Sequence, residues 1–198
     1  MGTAIAVRNS GDLQALISSP ELLQLRRISM GTVKHQGQPV RRYLSGGLTL
    51  TAEQRARITA RATELRAIAE ADDSPENRKS RLALVASMLM AYPMAGASEE
   101  AGKARAQAYL IALDDVPPWA VAEAIKLWHR GQFQGEHNYR FAPAPAELRD
   151  GAMHLLQPAK QAIAHLEQLL GALSLTEAMD PNPIEITSLN TRIRLRAM

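Results

Sequence analysis

The stretch "TAEQRARITARATELRAIAEA" (Thr51 to Ala71) decides the fold class. Thr51 and Gln54 stand three apart, the spacing of a reciprocal cap in which a hydroxyl accepts one free N–H and an amide oxygen accepts another. Ile58, Ala62, Leu65 and Ala69 follow at i, i+4, i+7 and i+11, an apolar stripe with the period of an α-helix. Arg55, Arg57, Arg61 and Arg66 lie among Glu53, Glu64 and Glu70, which predicts a solvated face with local ion pairs.

Working outward, the same punctuation repeats. Ser74–Pro75–Glu76 opens a second helix, with Ser74 as cap and Pro75 in the first turn. Leu82, Val85 and Leu89 make it apolar nearly all round, so it is expected at the centre of a bundle. Ser98, Glu99 and Glu100 suit the positive end of a third helix. Asp114–Asp115 before Val116–Pro117 reads as capping residues, and "WAVAEAIKLWHR" continues as a fourth helix closed by Gly131. Its inner stripe is Val121, Ile125 and Trp128. Trp119, nine residues earlier, falls on the opposite face and is expected nearer the outside, where it could anchor a partner. "AELRDGAMHLLQ" and "AKQAIAHLEQLLGAL" read as two further helices interrupted at Pro158, with a weak helical turn in "SLTEAM".

The flanks differ. A short helix is expected in "SGDLQALISS", capped by Ser10 or Asp12. No acid occurs between Glu21 and Glu53, while Gly31, Gly37, Pro39, Gly46 and Gly47 break regular structure. The prediction is a basic, largely extended arm that admits a small hairpin around "KHQGQPV". "DPNPIEITSLNTRIRLRAM" reads as a tail. The expected fold is therefore all-α: a basic arm at 1–50, a small antiparallel helical bundle at 51–173 and a C-terminal tail at 174–198.

Of the 198 residues 46% are hydrophobic but only 4% aromatic, so alanine carries much of the packing and the core is expected to be thin. Without cysteine there are no disulfides, thiolate metal sites or thiol nucleophiles. No apolar run reaches the ~18–20 residues of a membrane span, and no secretory leader is visible, so a soluble cytoplasmic protein is expected. The five histidines include no i, i+4 pair, which argues against a metal site, and His129 and His137 are expected to cap or face solvent. No GxxxxGK[ST] loop occurs, and no serine, histidine and acid stand out as a triad. Catalysis, cofactor and metal are not expected.

"GEHNYRFAPAPAELRD" (Gly135 to Asp150) carries Pro143 and Pro145, each of which fixes its own φ and bars its predecessor from helical geometry. Phe141 and Tyr139 are expected to pack between the third and fourth helices, so that the segment staples the next helix in place. The order "AYP", then "AYLIALDDVPPWAVAEAIKLWHRG", then "FAPAPAELRD" resembles the small helical domain of phage replicative-helicase loaders and inhibitors. The likeness covers residues 82–150. It implies a helical domain at about 82–155 that binds a replicative helicase, and by position alone a helicase-touching segment after Pro183, with Arg192, Arg194 and Arg196. It leaves the basic arm and the arginine-rich first long helix unexplained.

Within the arm, Arg26, Arg27, Lys34, Arg41 and Arg42 suit phosphates, with Tyr43 available to stack on a base. The expected partners are a replicative helicase or another protein through Trp119 and the C-terminal arginines, then single- or double-stranded DNA, then a second copy of the chain. The expected mechanism is tethering: the bundle grips one partner and a tail orders on another. The alternatives are a nucleic-acid-binding regulator and a phage structural or assembly protein.

Overall fold

The computed structural model describes residues 10–35, 39–71, 74–92, 98–133 and 135–179. Arg192, Arg194, Arg196 and the expected tail beyond 179 lie outside the described residues.

Helices α1 (Ser10–Ile17) and α2 (Pro20–Arg26) lead into a two-stranded antiparallel hairpin, β1 (Met30–Val33) and β2 (Arg41–Leu44). A 3-10 turn (Ser45–Gly47) follows, then α3 (Ala52–Ala69), α4 (Pro75–Met90), α5 (Glu99–Ala112), α6 (Pro118–His129), the long α7 (Pro145–Gly171) and α8 (Leu175–Met179). The chain is thus mostly helical with a small sheet.

The capping signals at Thr51, Ser74, Ser98 and Gly131 hold. Thr51 Oγ1 accepts the Gln54 N–H at 3.2 Å, and Gln54 Oε1 accepts the Thr51 N–H at 2.9 Å. Ser74 and Ser98 cap α4 and α5 in the same way from one side, accepting the N–H groups of Asn77 and Ala101. Gly131 ends α6 at φ 65°, a left-handed conformation that glycine adopts without penalty.

Two cores share one wall. In the first, Leu13, Ile17 and Leu22 of α1–α2 and Leu44 of β2 meet Ile58 and Leu65 of α3 and Leu166 and Leu169 of α7. In the second, Val85 and Met88 of α4, Tyr109 of α5, and Val121 and Trp128 of α6 pack on Leu148 and Leu156 of α7. Each fully buried Leu or Ile contributes about 1.5–3 kcal/mol of transfer free energy. α7, not α4, is therefore the central helix. α4 buries only the face bearing Arg81, Val85, Met88 and Leu89, while Leu82 and Met90 are exposed.

Three further expectations are corrected. The predicted break at Pro158 is absent, and 27 residues run as one helix through it. Pro158 cannot donate to the carbonyl of His154, but both residues are exposed, so water can reach that carbonyl. Residues 10–35 and 39–50 are not an extended arm, because the buried Leu22 and Leu44 dock them on α3 and α7. The tail does not begin at 174, because α8 belongs to the folded unit: Leu173 donates to the Arg42 carbonyl at 2.9 Å, its own carbonyl accepts the Leu44 N–H at 3.1 Å, and Ala178 is buried.

Candidate partner-binding site

The loop between α6 and α7 is built around the Trp128 indole, which is 2% exposed. Phe133 meets it edge-on with ring centroids 5.1 Å apart, Tyr139 lies at 4.9 Å, and the His137 imidazole at 5.3 Å. Such offset and edge contacts suit the quadrupoles of aromatic rings. Trp128 Nε1 donates to the Phe141 carbonyl at 3.1 Å, and the Tyr139 hydroxyl donates to the Phe133 carbonyl at 3.3 Å. From α5, the buried Tyr109 hydroxyl donates to the Pro143 carbonyl, and burial pushes its pKa up. Glu147, three residues into α7, accepts the Ala144 N–H at 2.6 Å, and its other oxygen lies 3.4 Å from His137 Nδ1. The staple expected from Pro143 and Pro145 is therefore present, with α7 starting at Pro145.

Its aromatic content differs from the expectation. Tyr139 packs inward, but on Trp128. Phe141 does not fill the groove between α5 and α6, and the residue is 65% exposed. The inward position belongs to Phe133, seated on Gly151 of α7: a β-carbon at Gly151 would fall 2.2 Å from Phe133 Cζ. Eighteen positions separate these two residues, and no periodicity in the sequence links them. His137 does not face solvent but sits half-buried among the rings. His129 is exposed and stacks on Tyr92 at 5.6 Å.

What remains outward is specific. The Phe141 N–H donates to the Asn138 carbonyl at 3.2 Å, and its carbonyl takes the Trp128 indole. Both backbone groups are fixed while the ring stands in solvent. Elsewhere on this half, a groove of about 370 Å³ opens between α4 and α6, floored by Leu84, Met88, Ala122 and Ile125 and edged by Lys126 and Arg130. A cleft of about 340 Å³ lies between Phe133, His137, Glu147 and His154.

Asp115 is not a helix cap. Arg149 of α7 grips its carboxylate with both terminal guanidinium nitrogens, Nη1 to Oδ1 and Nη2 to Oδ2 at 2.7 Å, and Nη1 also donates to the Ala112 carbonyl at 2.6 Å. That hydrogen-bonded pairing holds the Asp115 carboxyl below its usual range. The buried Arg81 donates to the Val116 carbonyl at 3.2 Å, so two arginines pin the α5–α6 turn. Asp114 stays exposed.

Trp119 is half-buried rather than outward. It packs against both cores, and its Nε1 donates to the Ile68 carbonyl at 3.0 Å, which makes it a bridge between α6 and α3. On α3, Arg57–Glu53 and Arg61–Glu64 pair locally at 2.5 Å as expected. Arg55, Arg61 and Arg66 also bind outside the helix, to the Leu170 carbonyl, Ser19 Oγ and Glu167.

The basic cluster is divided by the strand period of two. Arg41 turns toward α8, where its guanidinium reaches the Glu177 carbonyl at 3.5 Å, beside His35 Nε2 at 3.0 Å from the Ala178 carbonyl. Arg42, paired with Thr32 across the hairpin, points to solvent, as do Lys34, Arg26 and Arg27. Tyr43 is half-buried. Its ring lies over its cross-strand partner Gly31, where a β-carbon would fall 2.3 Å from the Tyr43 Cζ.

Among the described residues no group of three His, Asp or Glu side chains converges as a metal site, and no helix is long and apolar enough to cross a membrane. No protein-family model matches the chain, and no match was found among curated proteins or solved structures.

Proposed function

We propose that this chain is a non-enzymatic accessory factor of phage-type DNA replication that binds a replicative helicase and loads or restrains it. The resemblance over residues 82–150 suggests the partner, and Phe141 is the observation that carries a docking role. A solvent-exposed aromatic ring on a backbone fixed at both its N–H and its carbonyl loses little conformational freedom on binding, so most of the area it buries counts toward affinity. Aromatic side chains of this kind are enriched at protein interfaces. The α4–α6 groove offers a second apolar contact on the same half of the molecule.

The test is complex formation between the full-length chain and purified hexameric replicative helicases, followed by light scattering. The expected result is a stable complex that Phe141→Ala weakens by roughly tenfold, the loss of about 1.4 kcal/mol of contact energy. The reading fails if no helicase in a bacterial panel binds, or if binding is indifferent to Phe141→Ala.

A further inference from the structure

The fold converts part of the basic N-terminal sequence into an ordered cationic platform. The hairpin is held by the paired strands, by the Leu173 backbone bonds and by the His35 contact to α8. Side chains of β1 and β2 alternate between two faces. One face carries Gly31, Val33, Tyr43 and Arg41, all half-buried. The other begins at the core with Met30 and Leu44 and runs outward through the exposed Thr32 and Arg42, with Lys34 and Val40 exposed just beyond. Arg26 and Arg27 lie exposed at the end of α2, and Arg27 is only seven positions before Lys34, so their Cα atoms are at most about 25 Å apart.

None of these four cations has an ion-pair partner among the described residues, and no acid occurs in the sequence from residue 22 to residue 52. We infer that Arg26, Arg27, Lys34 and Arg42 form a binding surface for the phosphate backbone of duplex nucleic acid. Duplex is favoured over single strand on two grounds. Duplex DNA presents about one charge per 1.7 Å of axis against about one per 3.4 Å for each strand, so an ordered patch of four cations meets a denser row of phosphates on a duplex. Binding to unpaired bases relies on exposed aromatic rings, and the Tyr43 ring is committed to Gly31. An anionic membrane is disfavoured because Leu23 and Val40 are the exposed large apolar side chains on the described parts of α2 and the hairpin, whereas interfacial binding needs a broad apolar strip. The surface lies on the first core, apart from Phe141, and the inference stands without the helicase reading.

Fluorescence anisotropy with a labelled duplex of arbitrary sequence, titrated with the full chain across a salt series, tests it. Four phosphate contacts give a slope of log K against log salt of about −3 to −4, a loss on the order of 100-fold between 50 and 200 mM. The variant R26Q/R27Q/K34Q/R42Q changes only exposed side chains and should keep the circular dichroism melt while losing binding at 50 mM. R41Q, whose arginine faces α8, should keep the slope. The inference is overturned by no binding at 50 mM, by an unchanged slope in the fourfold variant, by tighter binding of a single strand of equal length, or by binding to phosphatidylserine vesicles without binding to duplex.

Discussion

Replacing Gly151 by alanine sets helix propensity against packing. At an open interior position of a helix the change stabilises by about 1 kcal/mol. Here the new methyl would meet Phe133 Cζ at 2.2 Å and Cε2 at 2.4 Å, where carbon atoms normally settle near 3.5–4.0 Å. The ring must withdraw by more than 1 Å, on the order of the missing contact distance. Withdrawal breaks the edge-on contact with Trp128, worth about 0.5–1.5 kcal/mol, and re-exposes part of the ring, about 1 kcal/mol more. The loss of about 2 kcal/mol outweighs the gain, so Gly151→Ala should destabilise by about 1 kcal/mol and lower Tm by about 2–4 °C.

The sign reverses once the obstruction is gone. In a Phe133→Ala background the same change should stabilise by about 1 kcal/mol, giving a coupling of about 2 kcal/mol between residues eighteen positions apart. Urea unfolding of the four proteins, followed by circular dichroism, measures that coupling. If Gly151→Ala stabilises the parent chain, or the coupling falls below about 0.5 kcal/mol, Phe133 is not seated on Gly151 and the aromatic arrangement around Trp128 is wrong.

Pro158→Ala should raise the urea midpoint by the equivalent of about 1–3 kcal/mol, because it restores an N–H donor to the His154 carbonyl at an exposed point inside α7. The Asp115 carboxyl has its pKa lowered in the folded chain by hydrogen bonding to Arg149, so it favours folding above the unfolded carboxyl pKa of about 4, and that contribution is lost as pH falls through the lowered folded value. Asp115→Asn should flatten the acid limb of the stability profile by no more than about 1 kcal/mol, since the pair is partly solvent-exposed. Tyr109 has the opposite sign: burial raises its pKa, so its contribution is complete below the unfolded value of about 10 and is lost as pH rises through the raised folded value. Tyr109→Phe should remove that alkaline loss in melts taken at and above pH 10, on the order of the unfolded phenol pKa.

What the sequence made legible was local. Thr51 with Gln54, Ser74 before Pro75, Ser98 before two glutamates and Gly131 after a helix each act within one turn, and each stands where it was expected. The stripe Ile58, Ala62, Leu65, Ala69 was legible for the same reason, since one helix fixes its own period. The failures involve partners distant in sequence. Leu22 and Leu44 look unremarkable among glycines and arginines until α3 and α7 provide a floor for them. Arg41 and Arg42 are one basic pair in sequence and opposite faces in a strand. Phe133 holds the inward place expected of Phe141 because a glycine on a later helix, not any spacing in the loop, decides which ring fits. Asp115 looked like a cap because its Arg149 partner is thirty-four positions away.

The same distant contacts replace the loose basic arm that the sequence alone suggested. A flexible basic arm tethered to a bundle would let its two binding surfaces move independently. Instead the hairpin packs on the last part of α7 and the Phe141 loop on its first part, and α7 runs unbroken for 27 residues, about 40 Å at 1.5 Å per residue. The apolar face of α7 passes from one core to the other between Leu156 and Ala159, around the solvent-facing Pro158. Trp119 closes the opposite side by joining α6 to the Ile68 carbonyl of α3. A protein bound at Phe141 and a duplex bound at Arg42 would therefore be held at a fixed separation. Linkage of that kind raises affinity only when the two targets match the spacing, so geometry rather than linker length would govern whether both are engaged together.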